Sequence, residues 1–246
     1  MDWSVTLPTL IGVSVLVAIT AVALRLYGVR QWYAGALAIL RAALQLAALS
    51  LVLTIVIEDL LWVWLALGVM LVAAILTAGR RLHADWRMLL TLTGTMALAV
   101  AVTLATIFLS GALELTPQYL LAIGGIVVGN AMTITTLTGR RHSSSVVAHR
   151  DEVEGWLALG ATPRQSTIDI ARNAVREALI PTIDQTRTTG LVVLPGAFVG
   201  AVFAGASPIE AGRFQLVVLA GILSAGALVA VGLSESMSRS KTVPTR

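Results

Sequence analysis

The chain has no cysteine, a single lysine and little charge of either sign. Only 12% of its 246 residues are Asp, Glu, Lys or Arg, against 57% hydrophobic residues and a mean hydropathy of +0.88. A typical soluble domain is about 25% charged, so this chain lacks the groups to cover a water-facing surface. The absence of cysteine excludes a disulfide framework, a thiolate metal site and a cysteine nucleophile. Of the 17 basic residues, 16 are arginine, and Lys241 is the one lysine. A P-loop needs a lysine after a glycine-rich turn to reach nucleotide phosphates. Lys241 has no such glycines before it, so the chain is not expected to hydrolyse ATP or to act as an enzyme. The lack of an intramembrane lysine likewise excludes a retinal Schiff base. His83, His142 and His149 share no ligand spacing and are expected as solvated loop residues, so no metal site is expected.

What is present is a series of long apolar runs. A spanning helix needs about 20 mainly apolar residues. Seven segments qualify: Val5–Leu24, Tyr33–Ile57, Leu60–Ala78, Met88–Leu109, Tyr119–Leu137, Thr188–Ala204 and Phe214–Leu233. The expected fold is therefore all-α, one polytopic membrane domain over 1–246 with seven transmembrane helices. The first run is too long for a signal-peptide core and is preceded by Asp2 rather than basic residues. Alternate loops hold 15 of the 17 basic residues. These are Arg25, Arg30, Arg80, Arg81, Arg87, Arg140, Arg141, Arg150, Arg164, Arg172, Arg176, Arg187, Arg239, Lys241 and Arg246. The opposite loops hold Glu58, Asp59, Glu114 and Glu210, with Arg213 as their one basic residue. The positive-inside rule then puts the N-terminus outside and the C-terminus inside. The basic excess marks a cytoplasmic face, not a nucleic-acid site.

Residues 139–187 form the one long loop, and its pattern is helical. Val153, Trp156, Leu157 and Ala158 sit among Asp151, Glu152 and Glu154, and Gly160 suits the left-handed position after a helix end. Thr162-Pro163-Arg164-Gln165 reads as a new helix start with a capping box. Ile168, Ala171, Val175 and Ala178 then recur at helical spacing, and Ile180-Pro181 is expected to break or kink that helix. Two readings stand: a connector lying on the membrane surface, or a rigid element that docks a cytoplasmic partner.

Glu154-Gly155-Trp156-Leu157-Ala158-Leu159-Gly160, followed by Ala161-Thr162 and Gln165, resembles the coupling motif of ABC transporter permeases. The Ile-x-Leu-Pro tail of many importer permeases is missing. Further motifs follow in order: Ala178-Leu-Ile-Pro-Thr-Ile-Asp184, Thr188-Thr-Gly190-Leu, Leu194-Pro195-Gly196, Phe203-Ala-Gly205, Ser207-Pro208 and Phe214-Gln215. With Gly129-Asn130-Ala131-Met132 and Arg41-x-x-x-Gln45-Leu46, they resemble the FetB-type permease family of bacterial iron exporters and plant aluminium-tolerance permeases. That resemblance implies a homodimer in the plasma or inner membrane, with a cytoplasmic ABC ATPase docked on each loop and ATP and magnesium bound by the ATPase. It places Glu152, Glu154, Trp156, Gly160, Ala161, Pro163 and Gln165 in ATPase coupling. The implied substrate is iron or a related metal species, with a sugar nucleotide or another solute as the alternative. A secondary transporter without an ATPase, and a scaffold whose loop merely recruits a soluble protein, are the rivals.

Strongly polar residues inside a span cost about 2.5–3.5 kcal/mol on insertion scales and face a bundle interior or a cavity. The candidate pathway or gate residues are Arg41, Gln45, Asn130, Thr133, Asp184, Thr188, Pro195, Gly196 and Gln215. Arg41 either snorkels to the headgroups or pairs inside the bundle, where Asp184, expected near the cytoplasmic face, is the candidate partner. Gly125-x-x-x-Gly129 is expected to bring another helix close, with Thr and Asn hydrogen-bonding across the contact. Pro195-Gly196 is expected to kink the sixth span.

Overall fold

The structure, a computed structural model, describes residues 3–56 and 59–239. Ile57, Glu58, Lys241 and Arg246 lie outside the described residues. The chain divides into two units, Met1–Glu58 and Asp59–Arg246. The first is a helical hairpin of α1 (Trp3–Leu26) and α2 (Ala34–Val56). Its turn uses Gly28 at φ 79 and places the Arg25 guanidinium 5.2 Å from the centroid of the Trp32 ring.

The second unit holds α3 (Leu60–Arg81), α4 (Trp86–Leu109), α5 (Pro117–Ala148), α6 (Arg150–Ala158), α7 (Pro163–Thr188), α8 (Gly196–Phe203) and α9 (Pro208–Ser238). Each long helix starts where a side chain caps it. Asp59 accepts from the Leu61 amide at 3.0 Å, Asp85 from Met88 at 2.8 Å and Thr116 from Tyr119 at 3.3 Å. Thr162 and Gln165 form the expected capping box, and Ser207 and Glu210 form another. α5 lies at the centre, packed by α3, α4, α9 and α7. Its buried residues Leu120, Ile123, Val127, Ala131, Ile134 and Thr138 recur every three or four positions, which keeps one face turned inward.

α1, α2, α3, α4, α5 and α9 are each long and apolar enough to cross a membrane, and the chain is a multi-pass membrane protein. α5 has 32 residues and α9 has 31, about 48 and 46 Å at 1.5 Å per residue. Both exceed the roughly 30 Å hydrocarbon core. Residues 139–148, expected as loop, are therefore the continuation of α5. His142 lies in that stretch and is 3% exposed, so the expectation of a solvated loop histidine is wrong for it.

The expected sixth span, Thr188–Ala204, is not one helix. α7 ends at Thr188, and Pro195 caps the separate eight-residue α8. Between them the chain turns back on itself: the amides of Val192 and Val193 donate to the Thr188 carbonyl, and Gly190, at φ 86, donates to Val193. The expected kink is thus a complete break, because Gly190 reverses the backbone and Pro195 offers no amide to carry a helix through. Pro181 does not break its helix. It sits inside α7 with its ring exposed, and the helix runs through it.

The close approach of α3 and α5 uses other glycines than expected. A Cβ on Gly124 would lie 2.6 Å from a Leu67 methyl, and one on Gly139 would lie 2.7 Å from a Leu82 methyl. Gly125 only touches the end of Met70 at 3.2 Å, and Gly129 has nothing within 4 Å. Nor do the threonines bond across helices. Thr133, Thr135 and Thr136 donate to carbonyls four residues back in α5, at 3.1, 2.7 and 2.9 Å, which satisfies these three hydroxyls within the helix. Gly124→Ala is expected to destabilise by about 1–3 kcal/mol through overpacking. Leu67→Ala in the same chain should recover part of that loss, read as non-additive shifts in thermal midpoint.

Candidate functional site

The α6 end of the second unit is a small protruding tip. α6 is anchored by Val153, 3% exposed, while Trp156 is 50%, Leu157 37% and Leu159 84% exposed. Glu152 and Glu154 are also exposed, and Glu154 accepts from the Arg150 guanidinium at 2.6 Å, which raises the arginine's pKa above its ordinary value. Gly160 takes φ 91 and lets the chain turn into α7, as its position after the helix predicts. Trp156, Leu159, Gly160, Ala161 and Gln165 line an open cleft of about 420 Å³. Pro163 opens α7 beside it. All seven residues assigned to coupling therefore gather on α6, its turn and the first turn of α7.

α7 then runs as one rod of 26 residues, about 39 Å, from this tip to the break at 189–195. Three contacts fix its course. Arg164 donates to Glu235 of α9 at 2.6 Å, and Glu235 also accepts from Arg239 at 2.9 Å. Arg141 of α5 meets Glu177 at 3.2 Å. Ala178 then packs with Ile134 and Ala230. The sequence reading missed the Arg164–Glu235 tie, which joins residues 71 positions apart and leaves no local signal.

The pathway candidates lie on several elements. Arg41 and Gln45 are exposed, one turn apart on α2 of the first unit. Asn130 is half-buried where α5, α7 and α9 meet: its Oδ1 and the Leu179 Cδ2 lie 3.5 and 3.4 Å from the Cβ position of Gly226. That Oδ1 is buried and has no hydrogen-bond partner, and the same holds for the Gln215 Oε1. Gln215 follows Phe214, which stacks on Tyr119 at 5.6 Å. Thr133 is exposed. Asp184 and Thr188 share the last turns of α7, where the Thr188 hydroxyl donates to the Asp184 carbonyl at 2.9 Å. Pro195 and Gly196 form the start of α8.

Asp184 lies five residues after Leu179, about 8 Å along α7 at helical rise. Its carboxylate pairs with Arg187 at 3.6 Å. Arg187, counted from sequence among the loop arginines, lies in the last turn of α7.

Comparisons with known proteins decide the family. Residues 7–241 match the family described as "Uncharacterised protein family (UPF0014)". The chain belongs to the UPF0014 family. It is 36% identical over 196 residues to the UPF0014 membrane protein STAR2 of Oryza sativa, covering 79% of this chain and 69% of that one. It is 37% identical over 133 residues to the "Probable iron export permease protein FetB" of Escherichia coli, about half of each protein (54% and 51%). With the UPF0014 membrane protein YjkA of Bacillus subtilis the identity is 34% over 204 residues, 80% of each. No solved structure matches the chain. The resemblance drawn from the intramembrane motifs thus named the right family.

Proposed function

We propose that this UPF0014 protein is the membrane subunit of an ABC transporter, working as a homodimer in the plasma or inner membrane. One cytoplasmic ATPase docks on the α6 tip of each copy and supplies the energy, binding the ATP and magnesium itself. The observation that carries this reading is α7: an unbroken helix joins an exposed Trp-Leu tip to the break at 189–195. A push on the tip is transmitted along a rod rather than lost in a loop. The Arg164–Glu235 contact carries the same motion to α9.

In this reading α7 and α8 together make the sixth of seven crossings, as a discontinuous span, with the N-terminus outside and the α6 tip inside. The arginines of the α5 extension and of α6 and α7 support that orientation. Movement of the tip changes the geometry of the break and switches access around Asn130, Asp184 and Pro195. The substrate is iron or a related metal species, moved outward. This choice rests on the name of the Escherichia coli relative. Discontinuous helices are also a feature of secondary transporters, so the decisive experiment tests for the ATPase. The permease is co-expressed with a candidate ABC ATPase from the same genome, purified, and reconstituted in inverted vesicles. Co-purification, stimulated ATP turnover and ATP-dependent accumulation of iron are expected. Iron transport without ATP would favour the secondary transporter, and binding without transport would favour the scaffold.

A further inference from the structure

The turn between α3 and α4 keeps a side chain where a helix end usually takes glycine. Three amides close the end of α3: Leu82 donates to Ala78, His83 to Arg80 and Ala84 to Gly79, at 3.0, 3.4 and 2.9 Å. His83 takes φ 50 in this closure, the one non-glycine residue at positive φ among the described residues. Glycine fills such a position without steric cost. An imidazole held there against its backbone preference points to a use for the ring.

The surroundings show what the ring can do. Leu76, Gly79, Arg80, His83, Ala84 and Leu89 line an open cleft of about 350 Å³ between the end of α3 and the start of α4. Its floor is apolar and closely packed, since a Cβ on Gly79 would lie 2.9 Å from a Leu89 methyl. Its rim is basic. Arg80 and His83 are exposed, and among the described residues neither side chain has a hydrogen bond or ion pair. Arg81 and Arg87 flank the turn, also exposed and unpaired. The one carboxylate beside them is Asp85, which accepts from the Met88 amide at 2.8 Å. α3 and α4 are both long and apolar enough to cross a membrane, and only the four residues 82–85 join them. The turn therefore sits at a membrane face, where lipid phosphates are at hand. Trp86, 69% exposed at the start of α4, is the residue type of that boundary.

We propose that this cleft binds one anionic phospholipid, its phosphate on Arg80 and a His83 ring N–H and an acyl chain along Leu76 and Leu89. The surplus of arginine over carboxylate selects a headgroup of net negative charge, as basic pockets between spanning helices do. Leu76, 45% exposed, carries the apolar floor out onto the side of α3, a surface that a free phosphate would leave unused. Leu82, the residue before His83, packs on Gly139 of α5. A lipid that holds the turn thus also steadies the base of the α5 extension.

The test uses the full chain, purified in detergent, stripped of lipid and melted with added phosphatidylglycerol, phosphatidylcholine or inorganic phosphate. Phosphatidylglycerol alone should raise the thermal midpoint of the parent. Arg80→Ala should need about tenfold more of it for half the shift, the loss of one charge-assisted contact. Arg176→Ala, which removes an exposed arginine of α7 instead, should respond like the parent. His83→Gly guards against misfolding as an explanation. Relief of the left-handed imidazole should raise its lipid-free midpoint, yet its response to phosphatidylglycerol should weaken several-fold. Parent-like responses of both Arg80→Ala and His83→Gly would overturn the site. Equal losses in Arg176→Ala would do the same, by showing that lipid meets only diffuse surface charge. Equal shifts with phosphatidylcholine or with inorganic phosphate would also overturn it, since headgroup charge or the apolar floor would then play no part. A lower lipid-free midpoint for His83→Gly would mean that the ring serves packing within the chain, against the proposal.

Discussion

Trp156→Ala should weaken docking of the ATPase by at least about 2 kcal/mol, roughly thirtyfold in Kd, the usual loss when a central aromatic anchor is truncated. The side chain is half exposed on α6, with Leu159 almost fully exposed beyond it and Val153 alone holding the helix down. Truncating Trp156 therefore removes surface presented to a partner and leaves the permease packing intact. The thermal midpoint should stay within experimental error of the parent, whereas Val153→Ala should lower it. Titration of the ATPase onto reconstituted permease, with turnover followed at each concentration, reads the effect. ATP-dependent transport should fall in parallel and recover in part at high ATPase concentration, because the rod and the break remain whole. Unchanged binding and stimulation would mean that α6 is only a connector.

How far this arrangement can be read from sequence depends on the range of the interaction responsible. Apolar run length and capping chemistry are local, so six of the seven expected spans correspond to helices, and the Thr162–Gln165 box and the Gly160 turn are where they were expected. The tip is legible for the same reason, since all seven of its residues lie within fourteen positions. Pro181 and Pro195 show where local rules stop. A proline ends a helix only when the surroundings offer its neighbours no better arrangement. α7 is held on both sides of Pro181 by the packing of Ala178 and Thr182, and the ring points outward. Before Pro195 there is Gly190 and a tight turn, and the helix gives way. Packing between distant helices is the other illegible quantity. Nothing local predicts that Leu179 of α7 comes beside Asn130 and Gly226. Glycine contacts fail for a related reason, since Gly124 and Gly125 are equivalent in pattern and differ only in which one faces Leu67.

Asn130→Leu should make the protein more stable and stop transport. The Asn130 Oδ1 is buried without a hydrogen-bond partner, a condition that costs about 1–3 kcal/mol. Leucine keeps the branched shape and removes the unpaired oxygen, so the midpoint should rise by about 2–4 °C per kcal/mol recovered in a chain of this size. A polar group kept at such a cost is explained if it finds its partner in another state of the cycle. The contacts around it suggest which state. Asn130, Ile134 and Leu179 all press toward Gly226, so a shift of α7 along its axis would carry Leu179 away and open the amide to water or substrate. Thr138→Val separates this role from a general relief of strain. The Thr138 Oγ1 is also buried and unpaired, so that variant should gain stability too, yet transport like the parent chain. Thermal midpoints and ATP-dependent uptake in inverted vesicles, measured on the two variants together, decide the matter. A stabilised, active Asn130→Leu chain would place the amide outside the pathway, and a destabilised one would mean that Oδ1 is held by a partner such as a bound water.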